Sequence, residues 1–245
     1  MIDRTAWQEA FLGSHAPTAV KALKHAWDLL VATSPDTFNA REIEPTLTKI
    51  LCEQLIATKR EDRLTGLWSY ENPQGKLVRK GKRIGLENNR RTDIRYFTDR
   101  ADPALELIFE FKRLNHQPSQ RNKYTGESGM MRFITGDYSV GNPLALMVGI
   151  LNVHRDDCVP PLTQWLNSAE AKAELYMETV DRKQTRHPSG FFVEAEFDTE
   201  HLRPIGKGPA HGTIVISHLF LDFPNLPRAV TKKSRRAGIL AGLGA

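Results

Sequence analysis

Over residues 105–114 apolar and charged side chains alternate almost one for one. A strand has a side-chain period of two, so Leu105, Leu107, Phe109 and Phe111 share one face, and Glu106, Ile108, Glu110 and Lys112 the other. Residues 91–97 alternate as well, with Asp93 and Arg95 on one side and Ile94 and Tyr96 on the opposite side. The spacing suits two neighbouring strands joined by a loop at residues 99–103. Residues 143–152 form a nearly uninterrupted apolar run, the pattern of a strand buried on both faces. Helical spacing comes earlier. Residues 4–33 read as two helices parted at residues 13–17, with Val20, Leu23, Trp27 and Leu30 recurring along the second. A further helix over residues 40–58 carries the stripe Ile43, Leu47, Ile50, Leu51 and Leu55. Residues 66–70 read as the first strand of the sheet, and residues 160–185 as helical after Pro160 and Pro161. Residues 191–197 and 213–223 read as two more strands, which either extend the sheet or form a small antiparallel appendage. The fold class predicted is α/β, with a mixed central sheet and helices on both faces.

A chain of 245 residues can bury a substantial core, as one large domain or one domain with an appendage. Its 40% hydrophobic and 26% charged content is ordinary for a globular protein. No apolar run approaches the roughly 20 residues that span a bilayer, and the N-terminus lacks the shape of a signal peptide. Cys52 and Cys158 form no C-x-x-C pair, which favours a reducing compartment and argues against structural zinc. The expectation is a cytoplasmic protein with no membrane partner. The net charge of +5 is modest, and its distribution matters more than its size. Lys76, Arg79, Lys80, Lys82, Arg83, Arg90 and Arg91 crowd residues 76–91 against only Glu87. Glycines at 75, 81 and 85 suggest a mobile loop there. Because it leads straight into the Asp93 strand, Lys80, Lys82, Arg83, Arg90 and Arg91 are candidates for a phosphate clamp. A second basic cluster, Lys232, Lys233, Arg235 and Arg236, precedes an apolar C-terminal end.

Asp93, Glu110 and Lys112 can meet on one sheet surface, and this trio suits metal-assisted phosphodiester cleavage. Hard cations such as Mg²⁺ take oxygen ligands, usually one or two carboxylates with phosphate and water. The ion lowers the pKa of a bound water. A neighbouring ammonium orients that water and meets the growing negative charge. An E-x-K on an amphipathic strand is common, and most copies are only an ion pair on a solvated face. Here three features surround it: a helix before it, the buried strand after it, and Gln120 and Tyr124 four apart on one helix face.

Together these residues resemble the PD-(D/E)XK nuclease superfamily, in its RecB-type branch with a Q-x-x-x-Y motif. Asp93 stands as the lone aspartate, Glu110-Phe111-Lys112 as the E-x-K element, and Thr92 takes the place of the name-giving proline. The resemblance covers about residues 40–152. It implies a restriction-endonuclease-like αβββαβ core over residues 39–158; residues 1–38 read as a helical flank and residues 159–245 as a C-terminal extension of the same domain carrying extra strands. It also implies Mg²⁺ or Mn²⁺ held by Asp93, Glu110, the Phe111 carbonyl and a helix glutamate. Glu44 fits that last role best, with Glu42 and Glu53 as rivals. Lys112 would position the attacking water, and Gln120 and Tyr124 would support the site and contact nucleic acid. DNA is the expected substrate, with RNA left open, in the setting of bacterial defence against phage or other foreign DNA. A homodimer or a separate ATPase partner is compatible with that setting. The competing reading is a catalytically inactive binding subunit on the same fold.

Other chemistry-bearing residues read as structural. Glu194 and Glu196 share a predicted strand face but lack a basic partner at the right interval. His211 and His218 lie in or beside strands and read as structural. His154, Asp156 and Asp157 read as a loop with no metal role. Met130, Met131 and Phe133 read as packing, and Arg132 as a phosphate contact.

Overall fold

The computed structural model describes residues 15–59, 64–80, 83–99, 104–179, 183–209 and 212–229, with the backbone alone for 72–80 and 83–90. The first predicted helix, His211 and the basic C-terminal cluster lie outside the described residues.

Among the described residues seven strands form one mixed sheet. In chain order they are β1 (Leu67–Lys80), β2 (Arg83–Thr98), β3 (Leu105–Leu114), β4 (Leu144–Leu151), β5 (Thr185–Arg186), β6 (Phe197–Leu202) and β7 (Thr213–Leu221). Their order across the sheet is β1-β2-β3-β4-β7-β6-β5. The central pairs β3/β4 and β4/β7 are parallel and all others antiparallel. The described helices are α1 (Ala16–Thr33), α2 (Glu44–Thr58), α3 (Pro118–Thr125), α4 (Met130–Ile134), α5 (Arg155–Leu166) and α6 (Ala169–Glu174). From α2 to β4 the chain runs helix, three strands, helical crossover, strand.

The alternation in β3 sorts its side chains between two cores. Leu105, Leu107, Phe109 and Phe111 join Leu144, Leu146, Val148 and Ile150 of β4 under α1 and α2. Trp27 is the anchor of that layer. Its ring lies 4.8 Å from Phe38 and 4.9 Å from Phe223, and its N–H donates to the Asp222 carbonyl at 3.0 Å. On the opposite face Ile108, Ala145, Met147, Ile214, Ile216 and Phe220 pack against α3, α4 and α5. Every residue of β4 is buried, because both of its faces are covered.

The structure departs from the sequence pattern in three places. Residues 76–80 and 83–91 are not a loop: β1 and β2 continue as a paired antiparallel arm out to Lys80↔Arg83, with a register shift between Gln74 and Lys76. Glycine and lysine are poor strand formers alone, but backbone pairing with a neighbouring strand overrides that preference. Residues 191–196 are not a strand. Ser189 Oγ accepts from the Phe191 and Phe192 amides at 3.2 and 3.1 Å, and the two aromatics are buried from a turn. The strand begins only at Phe197, and β7 lies inside the sheet beside β4 rather than in an appendage. Finally, α5 starts at Arg155, ahead of Pro160 and Pro161, so His154, Asp156 and Asp157 belong to a helix start and not to a loop. Asp156 and Asp157 sit in its first turn, where the helix dipole favours negative charge. The helix expected over 160–185 is instead α5 followed by the short α6, which ends at Glu174, well before β5.

Candidate functional site

The ladder between β2 and β3 runs from Thr98↔Leu105 to Ile94↔Phe109 and ends there. Among the described residues β3 beyond Phe109 pairs with β4 alone, from Glu110↔Met147 to Leu114↔Leu151. A backbone amide without a strand partner needs another acceptor. Asp93 supplies it: Oδ2 accepts from the Phe111 N–H at 2.8 Å. The parting of two strands is thus bridged by a carboxylate. Glu71 of β1 lies between the register pairs Tyr70↔Ile94 and Asn72↔Thr92, and so stands opposite Asp93 across the strands.

Lys112 lies at the focus of the opening. Its Nζ donates to Glu110 Oε1 at 2.7 Å and to the Phe111 carbonyl at 2.6 Å. It stands 3.6 Å from Glu44 Oε1 and 3.9 Å from Asp93 Oδ2. Glu44 arrives from the opposite core layer because α2 begins with Glu44 and Pro45, and proline suits a first helical turn. Its Oε2 accepts from the Arg113 amide at 2.8 Å. The Arg113 guanidinium holds the chain just ahead of α2. It donates to the Ala40 and Glu42 carbonyls, and to Asn152 Oδ1 at 2.9 and 2.6 Å. Of the three helix glutamates, Glu44 alone reaches the cluster through its carboxylate. Glu42 offers its carbonyl to Arg113 and a carboxylate that acts on that guanidinium, and Glu53 is exposed.

Glu110 is fully buried. Its Oε1 accepts from Lys112 and, at 2.8 Å, from Arg132, whereas Oε2 has no hydrogen-bond partner among the described residues. Arg132 also donates to the Tyr138 hydroxyl at 2.7 Å, and that hydroxyl donates to the Arg91 carbonyl. Burial pushes the Glu110 carboxyl up to about 8, and Asp93 adds to the rise against Lys112 and Arg132. Burial likewise raises Asp93 and Glu44. Burial works against the charge on Lys112, but Glu110, Asp93 and Glu44 outweigh it and hold the ammonium above its ordinary value. Ionised, three carboxylates face Lys112 and Arg132, which leaves the cluster short of positive charge.

The donor set suits a hard divalent cation: carboxylate oxygens, a backbone carbonyl, and a buried oxygen with nothing bonded to it. Among the described residues no three His, Cys, Asp or Glu side chains stand as a ready-made ligand group. The reason lies in the contacts above, since an ammonium occupies the point on which the carboxylates converge.

Gln120 sits half-buried on α3, and no hydrogen bond of its side chain is seen among the described residues. Tyr124 does not join the carboxylates; it is buried in the second core, with its hydroxyl 2.8 Å from His218 Nδ1. His218 Nε2 lies 2.9 Å from Thr199 Oγ1, His201 Nε2 2.7 Å from the same oxygen, and His201 Nδ1 2.7 Å from the Leu175 carbonyl. A carbonyl only accepts, so His201 carries its proton on Nδ1. Thr199 therefore donates to His201, His218 donates to Thr199, and Tyr124 donates to His218. One proton arrangement satisfies the whole chain with both imidazoles neutral.

Of the expected clamp, Lys82 and the side chains of Lys80, Arg83 and Arg90 lie outside the described residues. Arg91 is described and pairs with Glu71 at 3.1 Å, both side chains being exposed. Arg132 is not a free cation waiting for phosphate, since Glu110 holds it. Arg113, Tyr138 and Glu71 are site residues that the sequence pattern did not single out, because each reaches the site across strands or through a backbone group. Glu194 and Glu196 do not form a carboxylate pair on a strand, and Glu196 pairs with Arg155 at 2.5 Å. Cys52 and Cys158 are buried free thiols. No helix among the described residues is long and apolar enough to cross a membrane. Compared with protein-family profiles, curated proteins and solved structures, the chain matches none of them.

Proposed function

We propose that this chain is a metal-dependent nuclease of the PD-(D/E)XK superfamily, RecB-type branch, hydrolysing phosphodiester bonds of DNA. The observation that carries the reading is the convergence of Glu44, Asp93 and Glu110 on Lys112 where β2 and β3 part, with Glu110 Oε2 left bare in a buried position. The helix, three strands, crossover and strand from α2 to β4 are in the order that superfamily requires. Asp93, Glu110 and the Phe111 carbonyl would hold Mg²⁺ or Mn²⁺, with Glu44 beside them. When bound, such an ion lowers the pKa of a water and offsets charge on the phosphate. Lys112 orients the attacking water and meets the charge that develops on the phosphate oxygens. Arg132 keeps Glu110 in place by holding its Oε1 and leaving Oε2 unbonded. The basic β1–β2 arm grips the phosphate backbone, a grip that reads no sequence. Bacterial defence against foreign DNA is the setting this reading implies.

The test is to incubate the full chain with circular and linear DNA, with Mg²⁺, with Mn²⁺ and with chelator, beside Asp93→Asn. The expected result is divalent-dependent cleavage lost in the variant, with its melting temperature close to wild type. Undiminished cutting by Asp93→Asn would refute the assignment. Survival of circles while linear molecules shorten identifies an end-dependent enzyme. A second reading, a catalytically inactive subunit that only binds nucleic acid, draws on the ammonium at the focus of the carboxylates. DNA retained equally with and without Mg²⁺, and never cut, favours that second reading.

A further inference from the structure

Lys112 makes its two shortest contacts with the Phe111 carbonyl at 2.6 Å, an oxygen that the nuclease reading assigns to the divalent ion, and with Glu110 Oε1 at 2.7 Å, on a carboxylate assigned to that ion. Glu110 Oε1 already accepts from both Lys112 and Arg132, which fills its two lone pairs. Asp93 Oδ2 holds the Phe111 amide, and Glu44 Oε2 the Arg113 amide. Each carboxylate therefore has one oxygen tied to the protein, and the ammonium fills the space between the carboxylates. A divalent ion at ligand distances of about 2.1 Å from these oxygens would lie only a few ångströms from that ammonium, and like charges at such range repel strongly.

We propose that Lys112 is the resident counter-ion of the ion-free site, and that its side chain must leave the Phe111 carbonyl and the space between the carboxylates before Asp93, Glu110 and Phe111 can hold a divalent ion. The proposal rests on the nuclease reading and deepens it. Lys112 then has two positions, one that keeps three carboxylates together without metal and one beside the attacking water. Glu44 Oε1, 3.6 Å away, stands ready to receive the displaced ammonium. The consequence separates this role from ordinary support. A lysine that only braces the site would leave metal affinity weaker or unchanged when removed. A lysine that holds the place of the metal leaves it stronger.

The experiment is calorimetric titration of the full-length wild type, Lys112→Met and Lys112→Arg with MnCl₂ in mildly alkaline buffer without nucleic acid. Lys112→Met is expected to bind Mn²⁺ roughly tenfold more tightly than wild type, and Lys112→Arg, which keeps the charge, about as weakly as wild type. Equal or weaker binding by Lys112→Met overturns the proposal while leaving the nuclease reading in place. Failure of all three proteins to bind Mn²⁺ removes the nuclease reading, and the proposal with it. Because the methionine variant leaves three carboxylates facing Arg132 alone, a second measurement uses wild type only. Reductive methylation followed by mass spectrometry should label Lys112 faster with Mn²⁺ present; an unchanged rate also overturns the proposal.

Discussion

One oxygen of Glu110 accepts from two cations and the other accepts from nothing, inside a protein that exposes neither. A buried carboxylate in that state depends on its partners, and removing one partner of a buried ion pair is far more damaging than the pair is stabilising. Arg132→Met should therefore destabilise the fold by roughly 3 kcal/mol in urea unfolding above pH 8, where Glu110 is ionised. Tyr138→Phe, which deletes only the hydroxyl linking Arg132 to the Arg91 carbonyl, should cost about 1 kcal/mol. The reverse order would show that Arg132 is not the anchor of Glu110. At this scale the sequence carried Asp93, Glu110 and Lys112, because alternation along a strand places side chains without knowledge of the rest of the fold. It did not carry the parts played by Arg132, Tyr138 and Arg113. Each acts on a group far away along the chain, in two cases a backbone carbonyl that leaves no mark in the pattern.

The β1–β2 arm shows the same limit for whole elements. Its glycines and cations read as a loop, yet the two halves pair with each other from Leu67↔Phe97 to Lys80↔Arg83. On the nuclease reading this arm grips phosphate, and every cation taken out of such a grip lowers the slope of log K against log salt by about 0.9. Replacing Lys80, Lys82, Arg83 and Arg90 together with glutamine should weaken DNA binding and flatten that slope, as fluorescence anisotropy at several salt concentrations would measure. An unchanged slope takes the arm out of the interface. β4 offers a test of packing. A Cβ on Gly149 would meet Leu114 Cδ1 and Phe220 Cδ1 at 2.7 Å, both in buried side chains. Gly149→Ala should therefore lower stability by roughly 1–3 kcal/mol, through overpacking beside the strand that carries Lys112. Thermal unfolding with no loss of stability would show that the layer yields freely.

Across the whole molecule the two cores differ in how they depend on pH. The first is almost wholly apolar, whereas the second encloses the Tyr124–His218–Thr199–His201 chain. Burial lowers His201 from 6.5 to about 4, and lowers His218 as well, with His201 and His187 adding to the effect. The unfolded chain takes up protons at these rings below about 6.5, and the folded protein refuses them. Their contribution to stability is complete above that pH and is lost as the pH falls toward 4, on the order of 3 kcal/mol for His201 alone. Glu110, Asp93 and Glu44 are raised and act in the opposite direction over this range. The loss is therefore read as the difference between wild type and His201→Gln in urea unfolding at neutral and mildly acidic pH, and that difference should shrink as the pH falls. A difference that does not change over this range would mean that the ring takes up its proton in the fold as readily as in the unfolded chain.

What the sequence determined by itself is what depends on neighbours along the chain. The faces of β3, the double burial of β4, the spacing of α2 and the chemical types of Asp93, Glu110 and Lys112 all follow from the two side-chain periods of strand and helix. The tertiary structure decided everything that depends on which elements lie side by side. It set β7 against β4, chose Glu44 over Glu42 and Glu53, turned Tyr124 toward His218 and closed Arg132 onto Glu110. Those choices come from strand register and from packing between layers, where the free energy belongs to contacts between distant segments and not to either segment alone.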